Sequence, residues 1–185
     1  SKYLMEENMK KNPIYLWVLL VLSALISSMS LFGILSPLPS KDALRVSLAN
    51  SGTLTAQQLE DAVNYTYQVT ASSHSIFNTL LIVLSAILVV VAFVFLVRKN
   101  VQFANYAYIG YVLLAIVGLV YSYMNVQDAV QLIKDTTFGL GMGALAQGTN
   151  ILFIIINVLF LALVFYKMCR QQKDLAEEAE AEEVA

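Results

Sequence analysis

Charge is scarce in this chain, and it is missing altogether from four long stretches. Asp, Glu, Lys and Arg make up 13% of the 185 residues. None of them falls between Ile14 and Leu35, Ile76 and Val97, Ala104 and Met124, or Thr149 and Tyr166. Cysteine and histidine occur once each, as Cys169 and His74. A lone Cys excludes an intramolecular disulfide, and one Cys with one distant His offers no metal-ligand cluster. No hydrolase or kinase signature is present. No cofactor or metal is therefore expected, and an enzyme would lack a cluster of acid, base and nucleophile within the apolar stretches. The three prolines, Pro13, Pro37 and Pro39, leave the apolar stretches uninterrupted. Coupled transporters place an ionisable residue inside the membrane, and none is available here.

What the chain has in abundance is apolar sequence: 58% hydrophobic residues, a mean hydropathy of +0.69 and a net charge of −2. A bilayer span takes about 20 apolar residues. Four windows qualify, at about 14–36, 76–97, 104–124 and 149–168, and they predict an all-α integral membrane protein of four transmembrane helices arranged as two hairpins. The first is too long for the 7 to 15 apolar residues of a signal peptide, and Asn12-Pro13 starts it as a helix cap followed by Pro at the first helical position.

Basic residues near span ends mark the cytoplasmic side. Lys2, Lys10 and Lys11 precede the first span, Arg98 and Lys99 join the second to the third, and Lys167, Arg170 and Lys173 follow the fourth. Both termini are thereby expected in the cytoplasm of a cell-membrane protein, with outer segments at 37–75 and 125–148. Residues 1–170 read as the transmembrane domain and 171–185 as an acidic cytoplasmic tail, a helical extension of the fourth span or a docking site for a basic partner.

The halves resemble each other. Lys10-Lys11-Asn12 opens span one and Arg98-Lys99-Asn100 opens span three, while Asn78 and Arg98 bracket span two as Asn150 and Arg170 bracket span four. Ser85 and Asn157 each stand seven residues past their Asn. The correspondence predicts a parallel internal repeat, and low complexity is its competing explanation.

The outer segments carry helix signals. Thr55 and Gln58 form a capping box, with Leu54 and Leu59 as a hydrophobic staple, so a helix starts at Ala56. A shorter one follows the cap Ser40 and ends at Asn50-Ser51-Gly52. Asn125 is expected to cap a third through Lys134. The run GLGMGALAQGTN from Gly139 resembles a phosphate loop only in its glycines: no strand precedes it and no Lys follows. It is read as the turn back into span four, with a flexible gate or re-entrant segment as the alternative.

Candidate functional residues fall into two groups. Ala107, Tyr111, Ala115, Gly118 and Ser122 form a small-residue seam on span three, which with Leu59 and Val63 of the outer helix offers a partner-binding surface. Asn78, Ser85 and Asn157 offer a polar intramembrane cavity, or simply helix-bridging hydrogen bonds. His74 sits at the mouth of span two, as a hydrated interfacial group or a pH sensor. Cys169 lies just past span four, as an idle juxtamembrane thiol or a site for acylation. Asn64-Tyr65-Thr66 is a glycosylation sequon.

The leading expectation is a non-enzymatic accessory or regulatory subunit acting on another membrane protein. The second is a small oligomeric transporter, channel or lipid-binding protein. Membrane lipid, and either a partner membrane protein or further copies of the chain, are the expected company; nucleic acid is not.

Overall fold

Six α-helices and no strand make up residues 14–185, the part of the chain that the computed structural model describes. They are α1 (Ile14–Leu35), α2 (Lys41–Ala49), α3 (Ala56–Ser73), α4 (Ile76–Val97), α5 (Val101–Val130) and α6 (Thr136–Val184). Four of them, α1, α4, α5 and α6, are long and apolar enough to cross a membrane. The described residues are thus all-helical, with no strand among them, and have the make-up of a membrane protein. The cap expected at Asn12-Pro13 lies outside the described residues.

Local chemistry accounts for most boundaries. Ser40 accepts a hydrogen bond from the Ala43 amide at 3.1 Å and starts α2, and Gly52, at φ +73°, follows its end. A φ of that sign is costly for residues with a Cβ and free for glycine. Thr55 accepts from the Gln58 amide at 3.2 Å while the Gln58 side chain accepts from the Thr55 amide at 3.1 Å, the reciprocal capping box that begins α3. Lys99 takes a left-handed φ of 61° between α4 and α5, and the Asn100 side chain caps α5 by accepting from Phe103.

Two expectations are corrected. Asn125 begins no separate helix, because α5 runs through it to Val130. Val126 and Ala129 continue the inward face of α5, and nothing in the sequence there breaks the helix. Nor do the glycines of 139–148 form a turn: they lie in the first turns of α6, whose 49 residues continue without interruption to Val184. The reversal is made instead by residues 131–135, and Asp135 caps α6 by accepting from the Phe138 amide at 3.1 Å. The glycines serve packing. A Cβ on Gly143 would stand 2.8 Å from Val130 Cγ2, and one on Gly139 would stand 3.3 Å from Ile133 Cγ2.

At 1.5 Å per residue, α5 is ~45 Å long and α6 ~74 Å, both beyond the roughly 30 Å of bilayer hydrocarbon.

The chain divides into two compact units. One comprises residues up to Met29, Val83–Ala115 and Ile156–Ala185. Its core holds Leu16, Leu20, Ala92, Ala104, Tyr108, Val112 and Val164, all fully buried. Leu88 of α4 packs against Gly110 of α5, 3.2 Å from where a Cβ would be.

The other unit comprises Ser30–Ile82 and Ile116–Ile155. Its core is Tyr65 of α3 with Val126, Ala129 and Ile133, flanked by Val69, Phe138, Met142 and Ala146. Helices α2 and α3 are held together by Arg45, whose Nε donates to Glu60 Oε1 at 2.6 Å and whose Nη2 donates to Glu60 Oε2 at 3.1 Å. Asp61, buried in α3, accepts from the backbone N–H of Lys134 at 3.2 Å and from Gln57 at 2.9 Å. That carboxylate fixes the 131–135 reversal on α3.

Candidate functional site

Polar groups buried among apolar helices need partners, since each unpaired one costs several kcal/mol, on the order of 2–7, in a medium without water. Among the described residues every buried side-chain nitrogen or oxygen has a hydrogen-bond partner. In the first unit those partners form a closed ring. Tyr15 of α1 donates to Asn105 Oδ1 of α5 at 2.8 Å, Asn105 Nδ2 donates to Gln171 Oε1 of α6 at 3.3 Å, and Gln171 Nε2 donates back to the Tyr15 oxygen at 3.4 Å. Asn105 is completely buried. Lys167 Nζ lies 5.6 Å from the centroid of the Tyr15 ring, within cation–π range. Along the same pair of helices, Ser23 Oγ and Tyr108 Oη meet at 3.1 Å, both buried. Three helices are thus tied by side chains that the sequence alone does not bring together.

The residues of the expected polar trio belong to different units. Ser85 and Asn157 lie in the first unit, buried and engaged. Asn78 lies in the second, half-buried, and its amide donates to the Ser73 carbonyl at 2.8 Å.

The expected partner surface is unevenly open. Val63 is fully buried and Tyr111 nearly so, so both side chains are spent inside the chain. Leu59, Ala107, Ala115, Gly118 and Ser122 are half-buried. Gly118 has open space where a Cβ would be. The four apolar windows are mostly uncovered by the rest of the chain: 22%, 22%, 28% and 11% of the windows in α1, α4, α5 and α6 is buried.

Charges gather away from the apolar windows. The hydrogen bond from Arg45 holds the Glu60 carboxyl below the usual glutamate range, and raises the Arg45 guanidinium in turn. Asn64 of the sequon sits mid-helix in α3, ahead of the buried Tyr65. Cys169 is exposed on α6. Among the described residues no group of three or more His, Cys, Asp or Glu converges as metal ligands would.

His74 caps the C-terminus of α3 and is more tightly held than a hydrated interfacial residue. Its Nδ1 lies 2.9 Å from the Thr70 carbonyl oxygen and its Nε2 lies 2.9 Å from the Ser36 carbonyl oxygen. Those two backbone bonds raise its pKa above the ordinary 6.5.

No curated protein and no solved structure matches the chain. A family model matches residues 9–177, from before α1 into the acidic end of α6. With that match spanning every apolar helix, the chain belongs to the family described as Domain of unknown function (DUF8777).

Proposed function

We propose that this protein is a non-enzymatic accessory or regulatory subunit that binds another membrane protein through α5, beside the seam of Ala107, Ala115, Gly118 and Ser122. The observation that carries the reading is Gly118: its side is open, yet glycine in a helix costs about 1 kcal/mol relative to alanine. Lipid tails do not require small residues, whereas a second helix approaching closely does. The uncovered apolar windows leave room for such a helix. Inside the first unit Tyr15, Asn105, Gln171, Ser23 and Tyr108 are taken up in tying α1, α5 and α6 together, which suits a scaffold.

The reading takes both termini as cytoplasmic and the α2–α3 pair as lying outside, on the distribution of Lys and Arg. It takes the spans as two hairpins related by an internal repeat. The similar burial of Ser85 and Asn157, the positions that correspond between the halves, supports this. The same two residues, buried in one unit, are what favours the second reading, a small oligomeric transporter, channel or lipid-binding protein.

A photo-crosslinking side chain at Ser122, in native membranes, tests the proposal. The accessory reading expects one product of fixed mass containing a different polypeptide, and no such product from Val18 on α1. Crosslinks only to copies of this chain overturn it in favour of the oligomeric reading, and crosslinks only to lipid overturn it outright.

A further inference from the structure

His74 is the chain's single histidine, and it stands where two helix ends converge. The Ser36 carbonyl belongs to the C-terminus of α1, with Ser36 N–H still bonded to Phe32 O at 3.0 Å. The Thr70 carbonyl belongs to the last turn of α3, where His74 itself is the C-cap. The Ser36 carbonyl oxygen, at the end of α1, lies at the negative end of the helix dipole, while the Thr70 carbonyl oxygen also accepts from the His74 backbone N–H at 3.2 Å and from the Ser73 hydroxyl at 2.6 Å. The imidazole therefore has an acceptor on each side, each 2.9 Å away. A neutral imidazole has one N–H and can serve only one of them; an imidazolium serves both.

We infer that His74 is a pH-dependent clasp that joins the ends of α1 and α3 when protonated and releases the Ser36 carbonyl at the end of α1 when neutral, its remaining N–H staying with the Thr70 carbonyl of its own helix. The surroundings leave it to act without a counter-charge. Residues 26–40 and 66–82, which carry the end of α1, the end of α3 and the start of α4, contain no Asp, Glu, Lys or Arg. The titratable groups on the facing elements are Tyr67 of α3, which lies under Lys41 Nζ, and Tyr121 of α5, whose hydroxyl is paired with Ser75 Oγ at 2.9 Å. The Ser73 hydroxyl, 3.3 Å from Nδ1, donates to the Thr70 carbonyl and adds no charge. The Gly33 carbonyl contributes further to favouring the cation.

The sign follows from the direction of the shift. The folded-state value lies above the ordinary 6.5, so the clasp is fully made below pH 6.5 and is lost as pH rises through the folded value. Ser36 begins the segment that leads into α2, so release frees residues 36–40 from the C-terminus of α3, while Arg45 and Glu60 keep α2 itself on α3.

With one histidine, a single pair of ring nitrogens reports the state. The whole protein, labelled with 15N-histidine and held in lipid nanodiscs, is titrated by long-range proton–nitrogen correlation, and amide exchange of residues 33–40 is followed in parallel after correction for intrinsic rates. The expected result is a doubly protonated ring persisting above pH 6.5, with amide protection of 33–40 falling across the same midpoint, and with His74→Gln showing the unprotected level at every pH. A midpoint at or below 6.5 overturns the inference, as does the same protection profile in wild type and His74→Gln. The wild-type titration alone decides the matter if the variant does not fold.

Discussion

Tyr15 and Asn105 are 90 residues apart in sequence and meet at 2.8 Å, the phenol donating to the carboxamide of a residue with no exposure at all. Replacing Tyr15 by Phe keeps the ring and removes the donor, leaving the Asn105 oxygen buried without it. The loss is expected to be roughly 1–3 kcal/mol, nearer the lower end if the membrane-unfolded state finds other partners. Replacing both residues, Tyr15→Phe with Asn105→Leu, is expected to recover most of it, because two apolar partners leave nothing unsatisfied. Reversible unfolding in mixed detergent micelles reads all three variants.

The glycines of α6 divide by what surrounds them. At Gly141 a Cβ meets nothing within 4 Å, so Gly141→Ala is expected to stabilise the helix by about 0.5–1 kcal/mol. At Gly143 the same change puts a methyl group 2.8 Å from Val130 Cγ2, and a loss of about 1–3 kcal/mol is expected, relieved by Val130→Ala. Thermal unfolding of the two variants distinguishes a packed helix from a glycine turn, which would lose stability at both sites.

Asp61 is 3% exposed and holds the Lys134 backbone N–H. Asp61→Ala leaves that amide unpaired and is expected to cost about 1–3 kcal/mol, with faster amide exchange concentrated in residues 131–135. Asp61→Asn, which keeps an acceptor oxygen, is expected to keep most of the protection.

How far these features could be read from the sequence depends on their range. The starts of α2 and α3 were legible because caps act within three residues: Ser40 on Ala43, and Thr55 with Gln58. The α5–α6 junction was not. Val126, Ala129 and Val130 continue the spacing of α5 as readily as they begin a new helix, and glycines pack helices closely as well as break them. The reversal at 131–135 depends instead on Asp135 as a cap and on Asp61, which lies 73 residues from Lys134.

The candidate site divides in the same way. Ser85 and Asn157 were legible as buried polar residues because they sit within apolar stretches. Gln171 lies past the end of such a stretch, and its bond to Tyr15 spans 156 residues, so neither residue signals the ring. The single clue was Asn105, a carboxamide within an apolar helix that had to find partners. His74 gave only its position at a helix end; the second carbonyl, from Ser36, arrives 38 residues away.

The central claim is that α5 receives another membrane protein. Its most direct test is the mass and composition of the tagged chain extracted from its native membrane in a mild detergent, beside the variants Ala115→Leu and Gly118→Leu. The account predicts a second, different polypeptide in fixed stoichiometry with the wild type, reduced at least tenfold in Gly118→Leu while the variant's own unfolding midpoint is unchanged. A wild-type particle containing only copies of this chain and lipid contradicts it.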